Sequence, residues 1–550
     1  MKRKALLVHP SDNVMAALAD LPVGEAIEYP GGALRLHDAV RAKHKFSLED
    51  LRPGDEVFMY GVLVGKATQH IPQGGLISTE NLRHASGDYQ VGERKTAWTA
   101  PDISEFAGAT FMGYPRADGK VGTQNIWLVI PLVFCENRNI AVMREALVRS
   151  LGYDTGQKYQ LDIPALVERY RAGAGVEAVL AADIVLSQEE SLKKRVFPNV
   201  DGIKFLTHEM GCGGTRQDAS ALCRLLAGYI VHPNVAGATV LSLGCQNAQA
   251  ELLQDAIRGF DPAFSKPLFI LEQQKSKSEP EFIAEAVRLT FTGLMQANEL
   301  TRQPAPLSQL VLGLECGGSD GFSGISANPT LGYTSDLLVA LGGTAILSEF
   351  PELNGVEQEL ADRCIDVATA EKFVHLMRTY QQRAVEAGSG FDANPSPGNI
   401  KDGLITDAIK SAGAAKKGGT SPVTDVLDYT EQVKRPGLNL LCTPGNDVES
   451  TTGLAGSGAN MILFTTGLGT PTGNPVAPVI KVSSNTALYN RMRDIIDFNT
   501  GPVIEGERTI EESGRELLKL IIEVASGRSI AKATALGQDD FIPWKRGVSL

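Results

Sequence analysis

The sequence has little cysteine, no long apolar run and no excess of positive charge. None of its apolar runs reaches the roughly 18 residues that suggest a transmembrane helix, and the segment up to Val8 is too short and too basic for the apolar core of a signal peptide. The 52 Lys and Arg against 64 Asp and Glu give a net charge of −12, which argues against binding to nucleic acid or an anionic membrane. We therefore expect a cytoplasmic protein with neither of these partners.

Several common signatures are also missing. The seven cysteines are odd in number and scattered, which fits a reducing compartment better than a disulfide framework, and their spacing resembles no CxxC zinc pattern. Neither a P-loop nor a dinucleotide-binding GxGxxG motif occurs, which disfavours nucleotide binding. With 550 residues, 43% of them hydrophobic, the chain is typical of a large enzyme of two to four domains.

Four apolar runs rich in β-forming residues each lead into a cysteine beside turn-forming or carboxylate residues. Long intervening stretches allow crossover helices, so these runs predict an α/β fold with parallel sheets. Ligands bind beyond the carboxyl ends of such strands, so we expect the four cysteines to converge on one mouth as ligands of a shared metal or iron–sulfur site. The alternative for each is a small buried hydrophobe, the role assigned to Cys223, Cys364 and Cys442. The four candidate metal ligands are Cys135, Cys212, Cys245 and Cys316.

Composition divides the chain into three parts and a linker. A β-rich module is predicted over 1–92, a polar linker over 93–108, an α/β middle domain over 109–303 and a C-terminal α/β catalytic domain over 304–550. Asp118-Gly119 predicts a hairpin tip, and Thr509-Ile510-Glu511-Glu512 predicts a capping box that begins a late helix. We interpret Ser411 to Gly419 as a mobile loop and Asp154 to Lys194 as a surface insertion.

Two polar clusters near the N-terminus suit catalysis. His9 and Asp12 follow an apolar strand, and Lys43-His44-Lys45 follows within the same small module. Imidazole and carboxylate groups suit metal ligation or acid–base work, and lysines can bind a carboxylate. The alternative for Asp12 and Asn13 is that they cap a helix from Val14 to Leu18.

Three segments of the C-terminal part are rich in small and polar residues and poor in apolar ones. They cover residues 319–329, 445–453 and 465–471, and they suit a ligand cradle better than a core. Ordinary surface loops are the alternative. The candidate substrate-binding residues are Asp12, Asn13, Ser319, Asp320, Asn328, Asn446, Asp447 and Thr470.

The longest motifs resemble the altronate dehydratase and galactarate dehydratase family, in order and over nearly the whole chain. The matching strings are VHPSDNV, HKFSLEDL, GYPRADGKVGTQN, HEMGCGG, LECGGSDGFSGISANP, ANPSPGN, TPGNDVESTTGLAGSGA, GTPTGNP and PVIKVSSNT. The resemblance implies an N-terminal SAF-type β module and a two-part catalytic body. It also implies iron-dependent, oxygen-sensitive dehydration of a sugar acid to a 2-keto-3-deoxy acid.

The catalytic candidates His9, His44, Lys45 and His208 match motifs of this family. From the reaction we expect His44 or His9 to act as an acid–base group, with Lys45 holding the substrate carboxylate. Iron would act as a Lewis acid on the enediolate that forms when the α-proton leaves; a single Fe²⁺ and an iron–sulfur cluster both remain open. The general acid and the general base are not distinguished.

Two departures from the family pattern bear on the substrate. Gln246 stands where relatives read GCE, and Leu468 stands where they read GRGTP. An Arg-poor pocket favours a monoacid over a diacid, so D-altronate, which gives 2-keto-3-deoxy-D-gluconate, is the expected substrate. Galactarate dehydration and a related lyase reaction on a sulfonated hydroxy acid are the alternatives, and a homo-oligomer is left open.

Overall fold

The chain folds into three parts, and the computed structural model describes residues 3–154, 159–187 and 194–550. The first part contains short antiparallel strands, whereas the middle and C-terminal parts each contain one wholly parallel sheet among helices. The predicted fold class is therefore confirmed. No helix in the described ranges is both long and apolar enough to cross a membrane.

The N-terminal module is built from nine strands. They are β1 (Ala5–Leu6), β2 (Val14–Ala17), β3 (Ala26–Tyr29), β4 (Gly32–Arg35), β5 (Lys45–Ser47), β6 (Glu56–Met59), β7 (Val62–Ala67), β8 (Leu76–Ile77) and β9 (Leu82–Arg83). The helix predicted from Val14 to Leu18 is wrong, because that segment is strand β2, which pairs antiparallel with β1 and β5. Its Met and Ala residues favour helix locally, but full burial between paired strands overrides that preference.

The middle part surrounds a four-stranded sheet in the order β15-β12-β16-β17. Its strands are β10 (Thr110–Pro115), β11 (Val121–Gly122), β12 (Ile126–Pro131), β13 (Tyr159–Leu161), β14 (Val185–Ser187), β15 (Gly202–Phe205), β16 (Val235–Ser242) and β17 (Leu268–Glu272). Its helices are α1 (Asn137–Leu151), α2 (Ile163–Arg171), α3 (Val176–Leu180), α4 (Arg216–Val231), α5 (Ala250–Phe260) and α6 (Glu279–Ala297).

Alternate residues of β12 point into two different cores. Trp127 and Val129 pack with residues of α1 and α6, whereas Ile126 and Leu128 pack with residues of α4 and α5. Burial on both faces explains why the strand is a continuous apolar run. The proposed insertion from Asp154 to Lys194 lies partly outside the described residues; its described helices α2 and α3 bury no residue fully.

The C-terminal part surrounds a seven-stranded sheet in the order β21-β22-β20-β19-β23-β24-β25. Its strands are β18 (Gln303–Pro306), β19 (Val311–Cys316), β20 (Thr344–Leu347), β21 (Val423–Leu427), β22 (Gly437–Leu441), β23 (Met461–Thr466), β24 (Val479–Ser483) and β25 (Phe498–Asn499). Its helices are α7 (Ala327–Ala340), α8 (Glu357–Arg363), α9 (Val367–Glu386), α10 (Pro397–Lys401), α11 (Asp407–Ala415), α12 (Asp447–Gly456), α13 (Thr486–Arg491), α14 (Gly501–Glu505), α15 (Ile510–Ala525) and α16 (Lys532–Ala535). The order of the strands reverses at β19, because β20 lies on one side of it and β23 on the other.

Two local predictions are confirmed. The hairpin forms between β10 and β11, with Gly119 at a φ of 84° at its tip. Strand β10 also pairs with β18, which joins the middle and C-terminal parts. The capping box forms at the start of α15, where Thr509 accepts a hydrogen bond from the Glu512 backbone and the Glu512 carboxylate accepts one from the Thr509 backbone.

The mobile loop predicted from Ser411 to Gly419 is wrong. Residues 407–415 form helix α11, and a 3-10 turn at Lys416–Gly418 follows. Every residue of α11 is buried. Its many small residues allow close packing instead of mobility: a Cβ on Gly332 of α7 would lie 2.1 Å from the Lys416 carbonyl oxygen.

Candidate active site and thiol edge

Three of the predicted cysteines lie together at the carboxyl edge of the middle sheet. Cys135 follows β12, Cys212 follows β15 and Cys245 follows β16, and these three strands are neighbours. Their loops are hydrogen-bonded to one another, since the Phe134 amide donates to the Met210 carbonyl at 3.1 Å and the Ala248 amide donates to the Gly211 carbonyl at 3.1 Å. All three thiols are exposed and unpaired. We call these three residues the thiol edge.

Side chains below the thiol edge hold its loops in place. His208 is buried; its Nε2 lies 2.8 Å from the Pro131 carbonyl and its Nδ1 accepts from the Met210 amide at 3.1 Å. Burial lowers the pKa of His208 to about 4, so the ring is neutral and both nitrogens are occupied. We therefore assign His208 to the support of the Cys212 loop and not to proton transfer. Gln246 is also buried and bonded within its own turn, to Gly244 and Ser242.

A buried acceptor beside the thiol edge lacks a partner. Glu136 follows Cys135, is fully buried, and its Oε1 has no hydrogen-bond partner among the described residues. Burial raises the pKa of this carboxyl.

The three sulfur atoms of the thiol edge do not all lie within 4.8 Å of one another. The three thiols therefore do not form a preformed site in which all of them hold one ion.

Cys316 does not belong to the thiol edge. It ends β19 in the C-terminal sheet and is buried, whereas the other three cysteines are exposed at the edge of the middle sheet, so the expectation of one shared mouth for four cysteines is wrong. Its Sγ lies 2.7 Å from Lys417 Nζ and 3.1 Å from a Glu352 carboxylate oxygen. Lys417 also donates to Glu349 at 2.5 Å, and Lys410 donates to Glu352 at 2.6 Å. We call these five residues the buried charge cluster.

Charge is balanced inside the buried charge cluster by lysine. Burial and the carboxylates of Glu349 and Glu352 raise the pKa of Cys316, so it is a neutral thiol. Burial would lower the pKa of Lys417, but its anionic neighbours outweigh burial and raise it. Two ammonium groups therefore face two carboxylates. Cys316, Glu349 and Glu352 lie close enough together for one metal ion, yet the ammonium groups already occupy these carboxylates, so the group does not fit a metal site well.

Besides Asp320, five predicted substrate-binding residues lie around the ends of β19, β23 and the start of α12. Asn446 is exposed and caps α12. Burial, followed by repulsion from Glu349 and Glu352, raises the pKa of Asp447 to about 7. The other three residues make contacts within or between the loops of this region. The Ser319 carbonyl accepts a hydrogen bond from Asn399. Asn328 is hydrogen-bonded to Thr465 and Gly413, and Thr470 lies against Gly318.

A cavity of about 540 Å³ opens where the strand order of the C-terminal sheet reverses. Its walls include Gly467 and Leu468 after β23, Asn485 after β24, and Lys43 from the N-terminal module. The carboxyl ends of strands at such a reversal are the usual ligand crevice of an α/β sheet. The cavity therefore lies where the sheet topology predicts a binding site, and the N-terminal module forms one wall.

Lys43 enters this cavity on a tightly fixed loop. Its φ is 75°, which is rare for a residue with a side chain, and its carbonyl oxygen lies so close to Gly321 and Gly403 that a Cβ on either would come within 2.5 Å of it. Its Nζ lies 3.0 Å from both Asp320 and Asp402. Burial would lower the pKa of Lys43, but the two carboxylates outweigh it and raise the pKa.

Asp320, a predicted substrate-binding residue, is the hub of this pocket. It is fully buried and accepts from Ser484 at 2.8 Å and Asn485 at 3.2 Å, besides Lys43. Gly467 is required beside it, because a Cβ there would lie 2.2 Å from the carboxyl carbon. Asp320 therefore holds three loops and Lys43 in one arrangement.

The other residues of the Lys43-His44-Lys45 motif lie deeper. Lys45 is fully buried and donates to the carbonyls of Lys43 at 3.0 Å and Gly403 at 2.6 Å; burial lowers its pKa to about 7. His44 is half-buried, and burial lowers its pKa below the usual value. Lys43 was not among the candidate site residues, although the motif's lysines were expected to suit carboxylate binding, and it is the residue of the motif that lines the cavity.

The predicted residues at the start of the chain stabilise the N-terminal module. Asp12 is buried and its carboxylate accepts from the amides of His9, Tyr60 and Gly61. Asn13 accepts from the Phe58 amide at 2.8 Å. His9 is exposed, and its Nδ1 lies 2.7 Å from Ser11 Oγ. Asp12 and Asn13 thus hold a turn, and His9 lies outside the lining of the cavity.

Sequence reasoning missed four members of the buried charge cluster. Glu349 lies two residues after the apolar strand β20, and Cys316 is the last residue of β19, so the strand-end rule that found the cysteine would also have found the glutamate. Lys410 and Lys417 were hidden by the small residues of α11 and the turn after it. Glu352, in the turn after Glu349, carries no local signal.

Models of three protein domains match this chain. They are the altronate/galactarate dehydratase SAF domain over residues 3–85, the D-galactarate dehydratase/altronate hydrolase second domain over residues 113–298, and the D-galactarate/altronate dehydratase C-terminal domain over residues 307–549.

Several curated proteins are similar to this chain over nearly its full length. The chain is 34% identical to an altronate dehydratase of Bacillus subtilis (strain 168), over 95% of both chains. It is 34% identical to an altronate dehydratase of Escherichia coli (strain K12) over 99% of both. It is 31% identical to a galactarate dehydratase (L-threo-forming) of the same E. coli strain, over 95% of this chain and 92% of the relative. With three domain models matched in order, the chain belongs to the altronate/galactarate dehydratase family of hydro-lyases.

Proposed function

We propose that this protein dehydrates D-altronate to 2-keto-3-deoxy-D-gluconate and water, with the help of iron. The observation that carries the proposal is the 540 Å³ cavity at the reversal of the C-terminal sheet, with Lys43 held between Asp320 and Asp402 in its wall. Its volume suits a small metabolite, and its mixture of ammonium, carboxylate and amide groups suits a polyhydroxy acid.

The reaction needs a base and an acid. The base removes the proton on the carbon next to the carboxylate, the electron pair forms a carbon–carbon double bond, and the neighbouring hydroxyl leaves as water once protonated; the enol then becomes the ketone. Asp402 lines the cavity as a carboxylate, and Lys43 keeps its proton. We assign Asp402 as the base and the Lys43 ammonium as the proton donor, with His44 and Lys45 behind them.

The thiol edge offers ligand atoms of a kind that iron binds. Cys135, Cys212 and Cys245 offer three exposed soft ligands on hydrogen-bonded loops, and the unpartnered Glu136 oxygen lies next to Cys135 in sequence. Iron held by these thiolates would supply Lewis-acid chemistry at the thiol edge, for a substrate oxygen that reaches it. His208 and Gln246 would keep the three loops in place.

The walls of the cavity favour a monoacid. Its lining contains one arginine, Arg491, and Leu468 does not supply a second, so the second carboxylate of a diacid would lose its hydration without gaining a guanidinium partner, at a cost of several kcal/mol. D-altronate carries a neutral hydroxyl at its far end and avoids that cost. Galactarate carries a second carboxylate there.

The test is a comparison of kcat/KM for D-altronate, D-mannonate and galactarate, using protein prepared without oxygen. We expect D-altronate to be the best substrate by a wide margin. Galactarate as the best substrate would overturn the assignment of altronate but keep the dehydratase. Release of sulfite from a sulfonated hydroxy acid, with no keto acid formed from any sugar acid, would overturn the dehydratase itself.

A further inference from the structure

Some of the charged side chains that line the cavity form ion pairs and others do not. Four charged residues line it: Lys43, Asp402, Arg491 and Glu505. Lys43 already bonds two carboxylates, Asp320 and Asp402, so that group has a net charge of about −1 and would repel an incoming carboxylate. A sugar acid must therefore find its cation elsewhere in the cavity.

Arg491 is the cation that remains. Among the described residues no carboxylate lies within 4.0 Å of its guanidinium. Within the described part of the chain its side chain makes one hydrogen bond, which is long: Nη2 donates to the Leu468 carbonyl at 3.4 Å. The side chain is exposed at the cavity. Most of its donors are therefore available to a ligand.

Arg491 lines the same cavity as the proposed acid–base groups Lys43 and Asp402. Leu468, whose carbonyl it contacts, follows Gly467, which packs directly on the Asp320 carboxyl. The helix that Arg491 ends, α13, is capped by Asn485, which also donates to Asp320. A carboxylate bound by the guanidinium would thus lie in the cavity that Lys43 and Asp402 also line.

We infer that Arg491 binds the substrate's α-carboxylate and is the specificity-determining cation of this cavity. The inference rests on the proposed function and replaces Lys45 in the role of carboxylate ligand, because the Lys45 ammonium is buried on two carbonyl oxygens. A guanidinium binds a carboxylate through two parallel hydrogen bonds. One such cation serves one carboxylate, which agrees with a preference for a monoacid.

The kinetic test uses three variants of the iron-loaded protein: Arg491→Gln, Arg491→Lys and the control Arg493→Gln. Arg493 lies two residues away, is also exposed, and stacks on Tyr489 outside the cavity lining. We expect Arg491→Gln to raise KM for D-altronate by about 10- to 100-fold, with kcat changed by less than about threefold. Arg491→Lys should recover part of the loss and Arg493→Gln should match the unaltered protein.

A binding measurement separates this inference from the proposed function. A 3-deoxy aldonate has no leaving hydroxyl and cannot be dehydrated, so calorimetry can follow its binding to each variant. We expect Arg491→Gln to weaken that binding at least tenfold and to leave the binding of the corresponding uncharged alditol unchanged. Equal binding of the 3-deoxy aldonate by Arg491→Gln and the unaltered protein, or equal loss for acid and alditol, would overturn the inference. Absence of turnover with every sugar acid in the unaltered protein would instead overturn the proposed function.

Discussion

The two parallel sheets carry different chemistry at the same kind of edge. The middle sheet ends in three exposed thiols on loops that bond one another. The C-terminal sheet ends in carboxylates and ammonium groups, most of them buried. Soft, accessible ligands suit a metal centre, whereas charged groups of controlled protonation suit proton transfer and substrate binding. The carboxyl ends of the strands thus locate the functional groups in both sheets, while burial and charge decide what chemistry each edge can perform.

The largest effect is expected from Lys43→Gln, which removes the ammonium group from the cavity. Asp320 and Asp402 would then face each other without a cation, and the leaving hydroxyl would lose its proton donor. We expect kcat to fall by about 10² to 10⁴, measured by keto-acid formation. The matched control is Lys66→Gln in the same module, whose lysine forms an exposed ion pair with Glu56. Equal activity of the two variants would remove Lys43 from the active site.

Lys417→Met should strongly destabilise the C-terminal part. Lys417 is buried and bonds Glu349 at 2.5 Å, so the variant leaves a buried carboxylate without its cation, at a cost of about 3–5 kcal/mol in the free energy of unfolding. The double variant Lys417→Met with Glu349→Gln should recover part of that loss. Urea unfolding measures both. A single variant as stable as the unaltered protein would show that lysine does not balance the charge of this cluster.

Substitution of Lys45 should have a smaller effect on the stability of the fold, and the size of this effect should depend on pH. Burial lowers its pKa from 10.5 to about 7 in the folded protein, so between these values the unfolded chain binds more protons, and the contribution of Lys45 to stability rises with pH. From pH 7 to pH 9 we expect the stability of the unaltered protein to rise relative to Lys45→Met by on the order of 2 kcal/mol. Unfolding at both pH values tests this; a difference that stays constant or falls would contradict it.

Much of the fold could be predicted because strong local signals agree with the tertiary structure. Apolar runs buried on both faces, such as β12, identify the parallel sheets, and the capping residues of α15 place its start. The thiol edge followed from the same strand-end rule. Cys316 was grouped with it only because a sequence does not reveal which strands share a sheet.

The residues that escaped prediction depend on tertiary packing. Val14–Ala17 is rich in helix-forming residues but forms a strand, because its pairing partners bury it completely. Helix α11 consists mostly of small residues that suggest a loop, and its burial on every side comes from the elements that pack around it. Arg491, at the end of the short helix α13, has no local signal; only the cavity reveals it.

The most direct test of the claim that the two sheet edges have separate roles is the iron content of cysteine variants purified without oxygen. Cys212→Ser changes the thiol edge, Cys316→Ser changes the buried charge cluster, and Cys223→Ser changes a buried core thiol as control. We predict that Cys212→Ser loses most of its iron while Cys316→Ser and Cys223→Ser keep the iron content of the unaltered protein. Loss of iron in Cys316→Ser equal to that in Cys212→Ser would contradict the separation of the two edges.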